Sequence, residues 1–432
     1  MSERHIAVVG AGIIGLASAY HLVRAGVRVT VIDRDLERDC ASMGNAGGIA
    51  VTEVYPASSP GVWWRVFRWI SDPLGPLAIR PTYAPRLLPW LVQFARASSA
   101  TAVERISKAI AALNARVYED LLPMLEDLGL SDHLHRRGAL HVYESDSGYR
   151  RDAAEWACKQ ARGIVVEHLT SQEARRLEPA LGPLVYRAVF TPQWSHVSDP
   201  RELVRGLRNW LASRGVKLQR ASVRHVTGSS SAVMLNLDVG GTLEADQVVI
   251  AAGAWSGILA RRIGDRVLLE SERGYNMTLP RPGIVVERQL VFAERKLVAT
   301  PLTCGLRIGG AAEFGGLQAK VNFRRSQALV ELARRYLPGL QTEGGTPWAG
   351  DRPATPDSLP VIGASPREPR VFYAFGHGHL GLTQSATTGR LVADMILDRP
   401  AAIDLAPYSI DRFSSYGGLH TTHHDTTNSL LH

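Results

Sequence analysis

Gly10, Gly12 and Gly15 form a Gly-x-Gly-x-x-Gly set directly after the apolar run Ile6-Ala7-Val8-Val9, and Asp33 follows eighteen residues after Gly15. Those residue types at that spacing can hold a dinucleotide. Gly10 permits a tight turn, Gly12 lets the backbone approach a pyrophosphate, and Gly15 lets a helix pack close to its strand. The helix N-terminus then faces the phosphates with unpaired N–H groups and a partial positive charge. The Asp33 carboxylate can accept hydrogen bonds from ribose hydroxyls. A second glycine turn, Gly376-His377-Gly378-His379-Leu380-Gly381, separates the apolar Val371–Phe375 from a helical pattern over Thr383–Leu397. Its helix N-terminus suits another electron-rich group. The His377-x-His379 spacing invites a metal, but no third ligand is evident in the sequence, so no metal site is expected.

These groups need elements to position them. The first thirty-three residues read as strand, glycine turn, helix to about Gly26, then the strand Val27–Asp33: one βαβ unit. The charge-free stretch Ile6–Val23 has the length of a membrane span, but its glycines, Ser18, Tyr20 and His21 argue against one, and no basic region precedes it as in a secretory signal. Cys40–Ile49 is a small-residue loop where backbone can approach a ligand. Residues 101–128 and 151–162 read as helices, 138–145 as a strand, and Thr170–Leu177 as a capped helix. Ser198-Asp199-Pro200 starts a helix running to about Gly215. Strands at 216–218, 221–227 and 232–237 follow, then the buried strand Gln247–Ile250 running into Ala252-Gly253-Ala254-Trp255. Residues 266–325 alternate as antiparallel strands do, and 326–337 form a helix.

The chain has 432 residues, 45% hydrophobic and 21% charged, a globular composition long enough for two or three domains. Three cysteines without a CxxC pair give no disulfide framework, and a reducing, cytoplasmic setting is the default. The net charge of +8 is dispersed, without a basic run interleaved with aromatics, so nucleic acid is not an expected partner.

At the level of motifs, the chain resembles the D-amino-acid oxidase/dehydrogenase superfamily of FAD enzymes. It is most similar to bacterial D-amino-acid dehydrogenases, and among them to D-hydroxyproline dehydrogenases. The motifs are Gly10-x-Gly12-x-x-Gly15, Ser42–Gly48, Val249–Ser256, and the pair Trp348–Gly363 with Gly376–Thr383. The resemblance implies an α/β fold in which a Rossmann-like FAD domain (1–55, 197–265 and 348–413) is interleaved with an antiparallel-sheet substrate domain (56–196 and 266–347). It implies that Gly10, Gly12, Ile14, Gly15, Asp33 and Arg34 hold the ADP half of FAD. Ser42, Asn45, Ala46, Gly47 and Gly48 would line the pyrophosphate and flavin, and Val223 would meet the adenine. Ala252, Gly253 and Trp255 would shape the second binding turn, and Gly350 would also touch the cofactor. Gly378, His379, Leu380, Gly381, Leu382 and Thr383 would present N–H groups to the flavin pyrimidine edge, where negative charge grows on reduction. Arg352 would grip the substrate carboxylate with its fixed fork of donors; otherwise it forms a salt bridge with Asp351 or Asp357. Tyr275 would lie over the flavin and donate to the same carboxylate, or else serve as a core aromatic on its strand; His379 would contact substrate or cofactor, and Tyr55 would belong to a lid.

Two features depart from the family's pattern. No covalent-attachment motif is present, so noncovalent FAD is expected. An insert at 61–96 carries Trp63, Trp64, Trp69 and Trp90 among Arg65, Arg68, Arg80 and Arg86. Such a segment fits a membrane interface on the inner face of the cytoplasmic membrane, and equally fits packing on the substrate domain. The implied reaction is hydride transfer from the Cα–H of a D-amino or D-imino acid, D-hydroxyproline or D-proline foremost, with electrons passed to a quinone. The rivals are an O2-using glycine, sarcosine or D-amino-acid oxidase, an NAD(P)-linked reductase, and a flavoprotein subunit needing a partner chain. The His-rich tail after Phe413 is expected to be disordered.

Overall fold

The computed structural model describes residues 4–37, 40–61, 75–229 and 231–416. The first βαβ unit forms as its sequence dictates: strand His5–Val9, helix Ile13–Arg24, strand Arg28–Asp33. These strands pair in parallel at the centre of a six-stranded sheet. Its order runs Lys217–Arg220, Arg28–Asp33, His5–Val9, Gln247–Ile250, Val371–Phe375, Val361–Ala364, with only the last pair antiparallel. Each central strand is apolar and buried on both faces, as a parallel sheet covered on both sides requires. One cover is the pair of helices Ile13–Arg24 and Gly381–Ile396. Gly389 lets them touch, since a Cβ there would stand 2.5 Å from the Ala17 carbonyl. The opposite cover includes a three-stranded antiparallel meander, Val223–Gly228, Val233–Leu237 and Thr242–Ala245.

The second body is a nine-stranded, mostly antiparallel sheet. Its backbone order runs Thr346–Ala354, Glu270–Leu279, Gly305–Phe314, Leu297–Leu302, Gln289–Phe292, Ala139–Tyr143, Arg187–Thr191, Glu167–Thr170, with Leu77–Ile79 pairing on Gly305–Phe314. The strand Thr346–Ala354 hydrogen-bonds within this sheet, and the chain rejoins the six-stranded sheet only at Val361. Helix starts follow local chemistry. The Asp199 side chain accepts from the Arg201 N–H at 2.9 Å ahead of Pro200, and Thr170 and Glu173 form a reciprocal capping box.

The structure departs from one expected helix and shows where the described part of the 61–96 insert packs. The single helix expected over 101–128 is two, Ala100–Ala115 and Val117–Asp127, interrupted at Arg116. Its apolar face continues through Ile106, Ile110, Leu113, Val117, Leu121 and Met124, so both halves pack on the core of the six-stranded body. In the 61–96 insert, Trp63, Trp64, Arg65, Arg68 and Trp69 lie outside the described residues. The remainder includes the helix Ala84–Ala97, whose Trp90 and Phe94 stack at 5.2 Å and pack on Phe314 of the large sheet. The Trp90 indole also donates to the Ala354 carbonyl at 3.1 Å. Leu88 and Val92 stay exposed. Among the described residues, no helix is long and apolar enough to cross a membrane. Of the tail, 417–432 lie outside the described residues.

Candidate active site

A continuous cavity of about 1310 Å³ runs from the first glycine turn, between the two sheets, to the face of the large sheet. That exceeds the ~300–1,000 Å³ of an ordinary small-ligand pocket.

At one end stands the glycine turn. A Cβ on Gly10 would meet the Ala251 carbonyl oxygen at 2.3 Å, and its φ is +115°; one on Gly15 would meet the Gly10 oxygen at 1.9 Å. Those two glycines serve the fold. A Cβ on Gly12 would meet only Ser42 Oγ, at 3.4 Å, so the face of this turn towards the cavity is open. Asp33 ends its strand with one carboxylate oxygen accepting from the Ala11 N–H at 2.6 Å and the other from the Asp35 N–H at 3.0 Å. Each oxygen keeps a further lone pair for a ribose hydroxyl. The Arg34 guanidinium lies 3.6 Å from the centre of the Trp255 ring, joining the two turns across the cavity. An open glycine turn, an acid at the second strand end and unpaired helix N–H groups fit the ADP half of FAD.

In the middle, the loop 42–48 is held from both sides. Ser42 Oγ accepts from the Ile13 N–H at 3.0 Å, giving the first helix the cap that Gly12 cannot. From the large sheet, the buried Arg307 donates to the Asn45 carbonyl at 2.6 Å, and Asn276 Nδ2 donates to the Gly44 carbonyl at 2.8 Å. The Trp348 indole rests where Gly44 would carry a side chain. Gly47 donates to Asn45 Oδ1 at 2.8 Å and lies outside the cavity wall, as do Gly15 and Thr383. Thr383 Oγ1 instead accepts from the Ala50 N–H at 2.9 Å, tying the last helix to the loop's exit. Against expectation, two N–H groups of this turn are already taken: Gly378 donates to the Pro353 carbonyl at 2.8 Å and Leu380 to the His377 carbonyl at 2.9 Å.

The far end carries the polar side chains. Arg352 lies directly across the strand pair from Glu272, with Nη1 at 3.0 Å from Glu272 Oε1, and both side chains open on the cavity. Neither acid weighed from the sequence takes this arginine. Asp351 pairs with Arg273 at 3.0 Å, and Asp357 with Arg412 at 2.8 Å. Tyr275 lines the cavity but donates its hydroxyl to the buried Glu313, which also binds Arg80. Burial raises the Tyr275 hydroxyl to about 12, and the bond to Glu313 adds to the rise. The two histidines of the second turn divide. His377 is buried, with Nε2 at 2.9 Å from Thr388 Oγ1, and burial lowers it to about 3. His379 stands exposed on the cavity wall. Desolvation by the surrounding walls lowers its pKa; Glu272 and Glu53 oppose the shift, and Arg352 assists it.

Behind this wall, Lys159 is fully buried at 2.8 Å from Glu53 and 2.9 Å from Glu155, both cavity residues, with its ammonium 4.6 Å from the Trp156 ring centre. Burial alone would raise the Glu53 carboxyl, but Lys159 holds it below its ordinary value. Gly10, Gly12, Ile14, Asp33, Arg34, Ser42, Asn45, Ala46, Gly48, Tyr55, Val223, Ala252, Gly253, Trp255, Tyr275, Gly350, Arg352, Gly378, His379, Leu380, Gly381 and Leu382 all line the one cavity. Sequence reasoning missed Glu272, Glu53 and Lys159. Glu272 lies on the strand Glu270–Leu279, Glu53 in the loop after Ile49 and Lys159 on the helix Ala153–Gln160. No spacing marked Glu272, because its strand is mixed, with Ser271, Arg273 and Asn276 buried beside Tyr275 and Met277.

The family model for FAD-dependent oxidoreductases, DAO, matches residues 5–395. A D-amino-acid oxidase of Bradyrhizobium diazoefficiens is 35% identical over 95% of this chain and 99% of that protein. A D-amino acid dehydrogenase of Paramagnetospirillum magneticum is 32% identical over 95% and 99%. The crystal structure of glycine oxidase from Geobacillus kaustophilus superposes with a TM-score of 0.72 at 25% identity, covering 95% of this chain and 99% of that one.

Proposed function

The chain belongs to the DAO family of FAD-dependent oxidoreductases, enzymes here of D-amino acids or related amines, and we propose that it dehydrogenates a D-amino or D-imino acid to the imine. D-proline and D-hydroxyproline are the proposed substrates, and a quinone the proposed electron acceptor. The observation that carries the reading is Arg352, a guanidinium open to the same cavity that begins at the dinucleotide turn.

Bound FAD supplies a two-electron acceptor within that cavity. Arg352 receives the substrate carboxylate in its fork and fixes the orientation of Cα. With Cα so fixed by Arg352, the lone pair of the deprotonated amine would drive hydride from it to FAD held in the cavity, and no side-chain base would have to act on Cα. The leading N–H groups of the Gly381–Ile396 helix point a positive dipole end at the cavity, where negative charge grows. Desolvation lowers the His379 pKa from its ordinary value, which favours the uncharged ring beside Arg352. The imine hydrolyses to an oxo acid; a cyclic substrate leaves as a pyrroline carboxylate.

The test is anaerobic mixing of the yellow protein with D-proline, cis-4-hydroxy-D-proline, acyclic D-amino acids and their L-isomers. Bleaching of flavin absorbance by the D-imino acids alone supports the reading; bleaching only by acyclic substrates overturns the ring-bearing class. A second reading, an oxidase using O2, is favoured by the name of the 35% identical relative. Stoichiometric peroxide release in air selects it; turnover with a quinone and little peroxide selects the dehydrogenase. Turnover by the purified single chain excludes the need for a partner subunit.

A further inference from the structure

Arg352 does not wait alone for a carboxylate. Glu272 on the neighbouring strand already touches it at 3.0 Å, and the two are direct register partners. The other acids nearby are committed elsewhere. Asp351 accepts from Ser271 at 2.7 Å and pairs with Arg273, and Glu313 is buried against Tyr275 and Arg80. Glu53 is tied to the buried Lys159. Among the described residues, Glu272 is therefore the carboxylate that stands beside Arg352 with about a quarter of its side chain open to the cavity (25%).

We propose that Glu272 docks the substrate's amine, and that the Arg352–Glu272 pair is a zwitterion receptor that selects α-amino and α-imino acids over α-hydroxy acids and simple carboxylates. In an α-amino acid the nitrogen lies about 2.5 Å from the carboxylate carbon. A molecule of that size can enter between two groups in contact and replace one ion pair with two: its carboxylate on Arg352, its ammonium on Glu272, where the nitrogen gives up one proton, to Glu272 or to water, before its lone pair drives hydride from Cα. An acid without the amine meets a different balance. It competes with Glu272 for one guanidinium and leaves Glu272 partly desolvated and unpaired, which is costly for a charge. The proposal rests on the amine-oxidising reading above, and the experiment separates the two.

The holoenzyme is titrated with propionate and cyclopentanecarboxylate, which copy alanine and proline without the amine. Perturbation of the flavin spectrum reports their binding, and anaerobic flavin reduction is followed with D-alanine and D-proline. In Glu272→Gln the carboxylates are expected to bind about 10- to 100-fold more tightly relative to the amino acids than in the wild type, with reduction per unit substrate falling by a similar factor. Glu272→Asp, which keeps the charge, restores part of the amine preference. FAD content and visible spectrum report that each variant is folded, and should Glu272→Gln not retain FAD, Glu272→Asp carries the comparison, with a partial shift expected. Parallel changes for both ligand classes, or none, overturn the proposal alone. A wild-type flavin that no amino or imino acid bleaches overturns the amine-oxidising reading and the proposal with it.

Discussion

The guanidinium of Arg352 occupies the space in which residue 274 would carry a side chain. A Cβ added to Gly274 would stand 2.4 Å from both Cζ and Nη2 of Arg352. The strand Glu270–Leu279 shifts register between Gly274 and Tyr275, and the bare backbone at Gly274 lets Arg352 lie flat across it and meet Glu272. Gly274→Ala is expected to push the guanidinium off its seat while leaving the dinucleotide turn untouched. A displacement near 1 Å costs roughly 100-fold in rate. Stopped-flow flavin reduction at unchanged FAD content checks this; a rate within twofold of wild type would show that Arg352 is not held this way.

Gly10 and Gly12 should fail differently. Gly10→Ala forces a Cβ against the Ala251 carbonyl at a φ of +115°, so the loss is in folding, a few kcal/mol at least. Gly12→Val points its side chain into the cavity, so the apoprotein should melt near the wild-type temperature and FAD affinity should drop roughly 10- to 100-fold, for about 1–3 kcal/mol of overpacking. Melting curves with and without added FAD separate the two.

Lys159 is fully buried between Glu53 and Glu155. Lys159→Met removes the cation and leaves two carboxylates without it, for about 3–5 kcal/mol of destabilisation. Denaturant unfolding of the variant at neutral pH is the measurement. A shortfall to below about 1 kcal/mol would mean that water reaches the pair.

Acid should weaken the fold before most carboxylates titrate. Burial lowers His377 to about 3, and lowers His21 and His196 to about 4, the last two helped by nearby Arg390 and Arg24 and by His135 and Arg137. The unfolded chain binds these protons below about 6.5 and the folded chain does not. Their contribution is whole above pH 6.5 and declines as pH falls, by up to about 1.4 kcal/mol per pH unit for each histidine. Thermal melts from pH 7 to pH 5 should show the decline, and His377→Gln should remove one histidine's share; a flat profile contradicts the assignment.

Elements whose partners lie near in the chain were legible from residue order alone. The Gly10–Gly15 turn, its helix and the Asp33 strand end close within one βαβ unit, and the capping box at Thr170, the start at Asp199 and the second glycine turn each need only a few residues. Local geometry leaves such motifs little alternative. Tertiary structure decided the rest. Arg352 meets Glu272 and not Asp351 because antiparallel register sets those two opposite each other, and a one-residue slip of either strand would put them on opposite faces. Trp90, which its sequence suits equally to a membrane interface and to packing on the substrate domain, packs under Ala354 because the Leu77–Ile79 strand carries its helix onto the large sheet. Ser42 caps a helix twenty-nine residues away and Lys159 reaches Glu53 across 106. Contacts at that range depend on which sheet edges meet and how the chain crosses between them, and neither periodicity nor spacing carries that information.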